Sequence, residues 1–276
     1  MAGSGDAEPR FAFGENWARF LAKLDDRRIA AAENSLAAML AHVDLAGARF
    51  LDIGSGSGLS SLAARRLGAD VHSFDYDPTS VAVTTELRRR YFPADDSWRV
   101  EQGSVLDREY LRKLGTFDVV YSWGVLHHTG AMWEGLDHLV DLVAPGGTLF
   151  IALYNDQGMV SRVWRRIKKR YTQSSDFARR LIVLTAALYL WGPTWTLDLA
   201  RGHPLETWRA RAADRGMSAW HDLVDWVGGY PFEVATPGAV FDFYRKRGFS
   251  LVRLVTRRGH GCNEYVFTKD DGRVRD

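Results

Sequence analysis

Residues 50–58 read FLDIGSGSG and decide the fold, because they join an apolar run to three evenly spaced glycines, Gly54, Gly56 and Gly58. Glycine adopts positive φ angles at little cost and lets the backbone approach a bound molecule closely. A helical pattern starts directly afterwards, near Leu59, and the N–H groups at the start of a helix attract polar or anionic ligand groups. The stretch therefore predicts a strand, a ligand-binding turn and a helix.

Short apolar runs alternate with helical stretches from Arg49 onward, which is typical of a parallel sheet with crossover helices. Residues 145–147, Pro-Gly-Gly, predict the turn before the fifth strand. We expect an α/β, Rossmann-like fold with a seven-stranded, mostly parallel sheet and one antiparallel edge strand. The predicted strands are Arg49–Ile53, Asp70–Phe74, Trp98–Gln102, Phe117–Ser122, Thr148–Leu153, Ser250–Val255 and Glu264–Thr268.

The alternation is interrupted once, which divides the chain into four predicted segments. Residues 1–47 form an N-terminal helical cap, with a helix from Trp17 to about Val43 because the segment is rich in alanine. Residues 48–153 form the ligand-binding core. Residues 154–236, rich in Trp and Arg, form a helical insertion or lid on the substrate side, and residues 237–276 return to the core with a helix and two strands.

The composition is that of an ordinary globular protein. The chain has 276 residues, 46% hydrophobic and 25% charged, and a formal net charge of +2, which argues against a protein that coats nucleic acid. The single cysteine, Cys262, excludes an internal disulfide and cysteine-based metal clusters. No spacing of His or acidic residues suggests a metal site, so no metal is expected. Residues 1–10 lack a basic segment followed by an apolar one, which predicts a cytoplasmic protein.

One segment, Leu181–Trp191, is strongly apolar but far shorter than the ~20 residues that a membrane-spanning helix needs. Gly192 and Pro193 are expected to end its helix. A buried helix in a lid and an interfacial helix both fit the pattern, so peripheral contact with a membrane stays open while a spanning segment is not expected. The sequence leaves the oligomeric state open.

Two carboxylates narrow the choice of ligand. Asp52 lies at the end of the first strand, and Asp75 ends the second, where an acid commonly accepts hydrogen bonds from ribose hydroxyls. The dinucleotide fingerprint requires a glycine at position 59, which is leucine here. A pyrophosphate also gains nothing from Asp52, whereas a cationic cofactor that bears an amino-acid group does.

Four ordered motifs resemble the class I S-adenosylmethionine-dependent methyltransferases, among them the ubiquinone-pathway O-methyltransferases. LDIGSGSG looks like their first motif, SFDYD like the second, FDVVYSWGVLHHTG like the strand-four motif and APGGTLFIA like the strand-five motif. The resemblance covers about residues 48–153 and 237–268. It implies S-adenosyl-L-methionine as the cofactor and S-adenosyl-L-homocysteine as the product.

The resemblance also implies cofactor roles for individual residues. The glycine loop would surround the methionine part, Asp75 would hold the ribose, Tyr76 would flank the adenine, and Trp123 would lie near the sulfonium or simply fill the core. The cofactor-binding residues that it implies are Asp52, Gly54, Ser55, Gly56, Gly58, Asp75, Tyr76, Ser104, Val105, Ser122 and Trp123. Outside the resemblance, the aromatic N-terminal stretch adds Trp17, which would fold over the cofactor or act as a hydrophobic staple for the first helix.

Histidines are the candidate general bases, because an imidazole titrates near neutral pH. His127 and His128 follow strand four at the open edge of the sheet, where both also fit as packing residues. On a helix, His221 and Asp225 share a face, so the acid could orient the imidazole; a surface pair is the alternative.

Aromatic and polar residues near these candidates predict the acceptor site. Tyr154 and Asn155 follow the fifth strand. The pair His221 and Asp225 has aromatic residues around it, Trp220, Trp226 and Tyr230. This density of aromatic rings suggests a substrate pocket rather than a solvated face.

The sequence therefore predicts methyl transfer to a small-molecule acceptor, with oxygen ahead of nitrogen or carbon. Residues 162–170 carry six cations around an apolar stripe of Val163, Trp164 and Ile167, which keeps an RNA methyltransferase as an alternative, although nucleic acid is not the expected partner. The apolar segment Leu181–Trp191 keeps a membrane-associated quinone or lipid methyltransferase as another. A cofactor-binding regulator without catalysis is the non-enzymatic alternative.

Overall fold

A seven-stranded sheet forms the larger of two units in this computed structural model. The structure describes residues 21, 24–203, 219–257, 259 and 261–272, with the backbone alone at 219–222 and 225. The sheet unit holds the described residues up to Gln157 and from Glu233 onward. The helical unit holds the described residues between Gly158 and Phe232. The predicted insertion spanned residues 154–236.

The elements follow the alternation read from the sequence. The strands are β1 (Arg49–Ile53), β2 (Asp70–Asp75), β3 (Trp98–Gln102), β4 (Phe117–Trp123), β5 (Val143–Tyr154), β6 (Phe249–Val255) and β7 (Cys262–Lys269). The helices are α1 (Asp26–Met39), α2 (Leu59–Arg66), α3 (Pro78–Tyr91), α4 (Arg108–Leu114), α5 (Met132–Leu142), α6 (Met159–Thr172), α7 (Asp176–Ala200), α8 (Ala219–Gly228) and α9 (Pro237–Arg245). A 3-10 turn, Leu126–His128, follows β4.

The strand order is β3-β2-β1-β4-β5-β7-β6, which confirms the Rossmann-like α/β fold. The first five strands pair in parallel, and β7 pairs antiparallel with both β5 and β6. The expectation of an antiparallel edge strand is therefore wrong, because β7 lies between β5 and β6. A hairpin joins β6 to β7, so the chain reaches the edge first and returns antiparallel beside β5.

Six strands begin and end within two residues of their predicted bounds, and β5 is the exception. It begins at Val143, which pairs with Phe117 before a register shift sets Thr148 opposite Val119. The predicted turn at Pro145–Gly147 is thus an irregularity inside the strand. Gly146 permits it, because its φ is +75°.

Apolar side chains cover both faces of the sheet. On one face α1, α2 and α3 contribute Ile29, Leu62 and Leu87, while α4, α5 and α9 cover the other face with side chains such as Leu139. Each fully buried side chain of this size stabilises the fold by roughly 1.5–3 kcal/mol. With both faces covered, the carboxyl edge of the strands is the place for a polar site.

The predicted helix from Trp17 to about Val43 is interrupted in the described residues, since Leu21 is helical while Leu24 and Asp25 are not, and it ends earlier than predicted. α1 begins at Asp26, because the preceding Asp25 has extended backbone angles and its side chain accepts a hydrogen bond from the Arg28 N–H. The helix ends at Met39, and residues 40–43 form turns. An N-cap inside the alanine-rich segment therefore limits the helix.

The helical unit corrects two further expectations. α7 continues through Gly192 and Pro193 to Ala200, because an internal proline removes one helical hydrogen bond without ending the turns that follow. On α6, Val163 is exposed and Lys168 is fully buried, so the predicted apolar stripe is wrong. The buried face of α6 is Ser161, Trp164, Lys168 and Tyr171.

α7 is also not a buried helix, which was one of the two expectations for Leu181–Trp191. It buries Val183, Ala186 and Ala187 but exposes Leu181, Leu184 and Leu188. Among the described helices none combines the length and the apolar character needed to cross a membrane.

Candidate functional site

The glycine loop between β1 and α2 has the geometry of a ligand-binding turn. Gly54, Gly56 and Gly58 all have positive φ, and the Gly54 N–H donates to the Phe74 carbonyl at 2.8 Å. A Cβ at Gly54 would lie 2.4 Å from a Val125 methyl group, so the loop after β4 packs directly on the loop after β1. The loop after β1 therefore has no room for a side chain at Gly54.

Asp75 joins the end of β2 to the glycine loop. Its Oδ2 accepts the Gly56 N–H at 2.9 Å, and its Oδ1 accepts the Asp77 N–H at 2.9 Å. Burial raises the pKa of the Asp75 carboxyl, and the two backbone donors partly oppose that rise. The carboxyl group thus lies at the carboxyl edge with its position fixed by the backbone.

Asp52 lies beneath the loop in a buried polar network. Its carboxyl accepts a hydrogen bond from the Ser61 hydroxyl, which lies 2.7 Å from the Ser73 hydroxyl, and Trp98 Nε1 donates to Ser73 at 2.9 Å. Burial raises the pKa of Asp52 to about 7. A direct contact of Asp52 with a ligand stays a prediction, since the side chain is 1% exposed.

Other predicted cofactor residues line the same edge. The Ser55 hydroxyl lies 3.0 Å from that of Thr84, which also donates to the Gly56 carbonyl. Tyr76 and Trp123 are exposed aromatic residues after β2 and at the end of β4, and Trp123 Nε1 donates to Glu264 at 3.1 Å. The edge therefore presents both acidic groups and flat rings.

Three predicted cofactor residues are engaged by the protein's own groups. The Ser104 hydroxyl accepts the Leu106 N–H, and the Ser122 hydroxyl donates to the Ile53 carbonyl. The Val105 side chain is buried in the core. Their placement near the edge leaves cofactor contact a prediction for each.

His127 and His128 lie in the 3-10 turn after β4, at the same edge. His127 is buried, and its Nδ1 accepts the Tyr154 N–H at 3.3 Å while its ring packs against Tyr154 at a tilt of 37°, with centroids 3.9 Å apart. Because Nδ1 is an acceptor, the neutral ring carries its proton on Nε2. His128 is half-buried, with its ring edge-on to Tyr154.

Asn155 lies where the insertion leaves the sheet. The Tyr154 carbonyl accepts the Ala235 N–H, and the Asp156 N–H donates to the Ala235 carbonyl, which brings the two ends of the insertion together. The Asn155 side chain accepts a hydrogen bond from Asn263 Nδ2 at 3.1 Å. The structure thus gives Asn155 a structural contact beside its predicted contact with the acceptor.

The remaining predicted residues belong to the helical unit or lie outside the described part. Trp226 and Tyr230 are described in the helical unit, where Trp226 packs on Trp164 with ring centroids 4.3 Å apart. For Trp220, His221 and Asp225 only the backbone of α8 is described, and Trp17 lies outside the described residues.

Residues that the sequence analysis did not select also contact predicted site residues, among them Ser61, Thr84, Glu233 and Glu264. Ser61 sits in the first turn of α2, where a polar residue on the side facing a strand could have indicated a partner for Asp52. Glu233 donates its N–H to the His127 carbonyl, and Glu264 lies 141 residues from its partner Trp123. No local pattern indicates contacts at such separations.

The carboxylates and aromatic rings at this edge fit a cationic nucleoside. Asp75 suits vicinal hydroxyls, the exposed rings of Tyr76 and Trp123 suit a flat base and a cation, and the acids would repel a pyrophosphate. Among the described residues, no group of three or more His, Cys, Asp and Glu side chains is placed to hold a metal ion.

Comparisons with known proteins agree with this geometry. A family model described as a methyltransferase domain matches residues 17–223. A tRNA U34 carboxymethyltransferase of Methylococcus capsulatus is 35% identical over 120 residues, 43% of this chain and 36% of that protein. A ubiquinone biosynthesis O-methyltransferase of Xanthomonas campestris is 36% identical over 115 residues, 42% of this chain and 46% of that protein. The matches thus span less than half the length of these relatives.

Solved structures show the same fold at low sequence identity. Magnesium protoporphyrin IX methyltransferase from Synechocystis, crystallised with bound SAH, has a TM-score of 0.55 at 14% identity and covers 94% of this chain and 95% of its own. The N-methyltransferase NodS from Bradyrhizobium japonicum, in complex with S-adenosyl-L-homocysteine, has a TM-score of 0.51 at 16% identity, with 93% and 98% covered.

Proposed function

The chain belongs to the methyltransferase-domain family, and we propose that it transfers the methyl group of S-adenosyl-L-methionine to a small-molecule acceptor, at oxygen rather than nitrogen or carbon. The observation that carries the proposal is the Asp75 carboxylate, held at the end of β2 by the Gly56 N–H. An acid at this point accepts hydrogen bonds from ribose hydroxyls, and the positive-φ glycines beside it leave room for the rest of the nucleoside.

The charge of the segment that holds the first five strands supports a small acceptor over RNA. Residues 49–157 contain ten Lys and Arg against fifteen Asp and Glu, a net charge of −5. Several of these acids, including Asp75, Asp77 and Asp156, lie at or just beyond the carboxyl ends of strands. A phosphate backbone approaching this edge would be repelled, whereas an uncharged or cationic small molecule would not.

In the proposed mechanism the protein binds and orients the reactants and removes a proton. When bound, S-adenosyl-L-methionine supplies a methyl carbon attached to a positively charged sulfur. Asp75 would hold the ribose, and Trp123 would shield the reacting groups from water with its exposed ring. His128 would accept the proton of the acceptor hydroxyl as the methyl carbon passes from the sulfonium sulfur to that oxygen, so that the C–S bond breaks and S-adenosyl-L-homocysteine is the leaving group. His128 is chosen because Nδ1 of His127 already accepts the Tyr154 N–H.

The proposal is tested first by calorimetry with S-adenosylmethionine, S-adenosylhomocysteine and NAD. We expect micromolar binding of both sulfur compounds and none of NAD. Transfer of labelled methyl groups is then measured with a panel of small hydroxylated compounds and with bulk tRNA. Binding of NAD alone would overturn the cofactor assignment, transfer to tRNA alone would overturn the small-molecule acceptor, and cofactor binding without transfer to any acceptor would favour the regulator.

A further inference from the structure

The outward face of α7 is apolar over its first three turns. Phe177, Leu181, Leu184 and Leu188 are 80%, 58%, 52% and 65% exposed. At about 100° per residue they fall within an arc of about 60° on the helix. The buried residues of these turns, such as Ala186, lie on the opposite side. An exposed apolar patch of this kind marks an interaction surface.

The charge of the same unit is strongly positive. Residues 158–203 contain nine Lys and Arg against two Asp, a net charge of +7, although the whole chain carries only +2. α6 and α7 pack together, with the rings of Trp164 and Tyr189 6.1 Å apart. The exposed cations of α6 are Arg162, Arg165, Arg166, Lys169 and Arg170.

We propose that α6 and α7 bind the surface of an anionic lipid bilayer. The apolar face of α7 enters the boundary between headgroups and acyl chains, and the cations of α6 contact the anionic headgroups. Charge complementarity favours this partner: RNA would use the cations but leave the leucines in water, and an apolar protein groove would not need the positive charge. A bilayer surface uses both, and it requires no helix that crosses the membrane.

The test measures the distribution of the purified chain between buffer and sedimented vesicles. Vesicles of phosphatidylcholine with about one third phosphatidylglycerol are compared with vesicles of phosphatidylcholine alone. The apolar face is changed by Leu181→Ser, Leu184→Ser and Leu188→Ser together, and the cations by Arg165→Gln, Arg166→Gln and Lys169→Gln together. The control is Val252→Ser with Leu254→Ser, a pair of exposed apolar residues on β6.

We expect binding to the anionic vesicles only, weakened at least tenfold by either triple variant and unchanged by the control. Absence of binding, equal binding to both vesicle types or unchanged binding of the leucine variant would overturn the proposal. A dimer that forms without lipid and is lost in the leucine variant would also overturn the proposal. RNA binding that the leucine variant weakens to the same extent would do so as well.

A second measurement covers the case in which the leucine variant does not fold. Lipids brominated near the headgroup should quench part of the tryptophan fluorescence of the unchanged chain, and the double variant Trp191→Phe, Trp195→Phe on α7 should lose that part. Quenching that persists in full in this variant would overturn the proposal. Neither measurement involves methyl transfer, so its failure would leave the proposed reaction standing.

Discussion

The Asp75 carboxylate accepts the backbone N–H of Gly56 at 2.9 Å, which ties the end of β2 to the loop that follows β1. One carboxyl group thereby contacts the glycine loop at the position that we propose for the ribose. Its second oxygen is held by the Asp77 N–H, at the start of α3. The binding edge is therefore organised by a residue from a neighbouring strand and not by the glycines alone.

We expect Asp75→Ala to weaken the binding of S-adenosylhomocysteine at least tenfold, because it removes both the loop contact and the acceptor for ribose hydroxyls. The matched control is Asp70→Ala, which removes an exposed carboxylate at the other end of β2. Calorimetry on both variants checks the prediction. Equal affinities for the two variants would contradict a role for Asp75 in binding.

The contact between Gly54 and Val125 leads to a second prediction. Gly54→Ala adds a methyl group that would overlap the Val125 side chain and also strains a φ of +76°. We expect a loss of roughly 2–4 kcal/mol in the free energy of unfolding, more than the ~1 kcal/mol expected for Gly47→Ala, whose φ is also positive but which has open space around it.

Urea unfolding of both variants measures this difference, and the double variant Gly54→Ala, Val125→Ala separates the two causes. Removing the valine methyl groups should restore part of the stability lost by Gly54→Ala. If it restores none, backbone strain alone explains the loss and the packing of the two loops is not the reason that glycine is required.

Local patterns predicted the strands well because each strand has its own apolar run and its own turn. The bounds of β1 and β3 match the prediction to the residue, and the glycine loop was located from nine residues. The antiparallel strand was wrongly expected at an edge of the sheet, since strand order depends on contacts between distant segments. The partners of Asp52 and Trp123 could not be predicted for the same reason.

The sequence pattern also did not predict which side chains of the insertion are buried. Lys168 reads as one of six cations on a solvated helix, yet it is fully buried and donates to the Trp226 carbonyl. A helix in which cations lie among a few apolar residues allows several rotations about its axis with similar apolar faces. Contacts with Trp226 and Phe232, which come from distant positions in the chain, select among them.

The buried Asp52 predicts how stability changes with pH. Its pKa is about 7 against an ordinary 3.8, so between about pH 4 and 7 the folded chain holds a proton that the unfolded chain releases. The free energy of unfolding should therefore fall as the pH rises across this window, by an amount on the order of a few kcal/mol. Urea unfolding of Asp52→Asn should show a smaller fall than Asp70→Asn does, and equal slopes would contradict the prediction.

The buried Lys168 predicts the opposite change in the free energy of unfolding at higher pH. Burial lowers its pKa to about 7 from 10.5, so between about pH 7 and 10.5 the unfolded chain holds a proton that the folded chain lacks. The free energy of unfolding of the helical unit should rise with pH in this window, and below pH 7 the full cost of burying the charge remains. Lys168→Met should flatten this rise, followed by tryptophan fluorescence, whereas the adjacent, exposed Lys169→Met should retain it.

The two adjacent histidines should separate in their effects on turnover. His128→Ala should lower kcat by roughly 100-fold or more while cofactor affinity stays the same, and the loss of rate toward acid pH should disappear with the base. His127→Asn keeps an acceptor for the Tyr154 N–H but loses the ring that packs against Tyr154, so its main effect should be on stability, with the pH profile of kcat retained. If the loss of rate toward acid pH instead disappears in His127→Asn and persists in His128→Ala, the two roles are reversed. His127 could then accept the proton at Nε2 only after the proton already on Nε2 had moved.

If both variants keep the loss of rate toward acid pH, the base lies elsewhere. The pair His221 and Asp225, four residues apart on α8, then becomes the next to test, by His221→Ala.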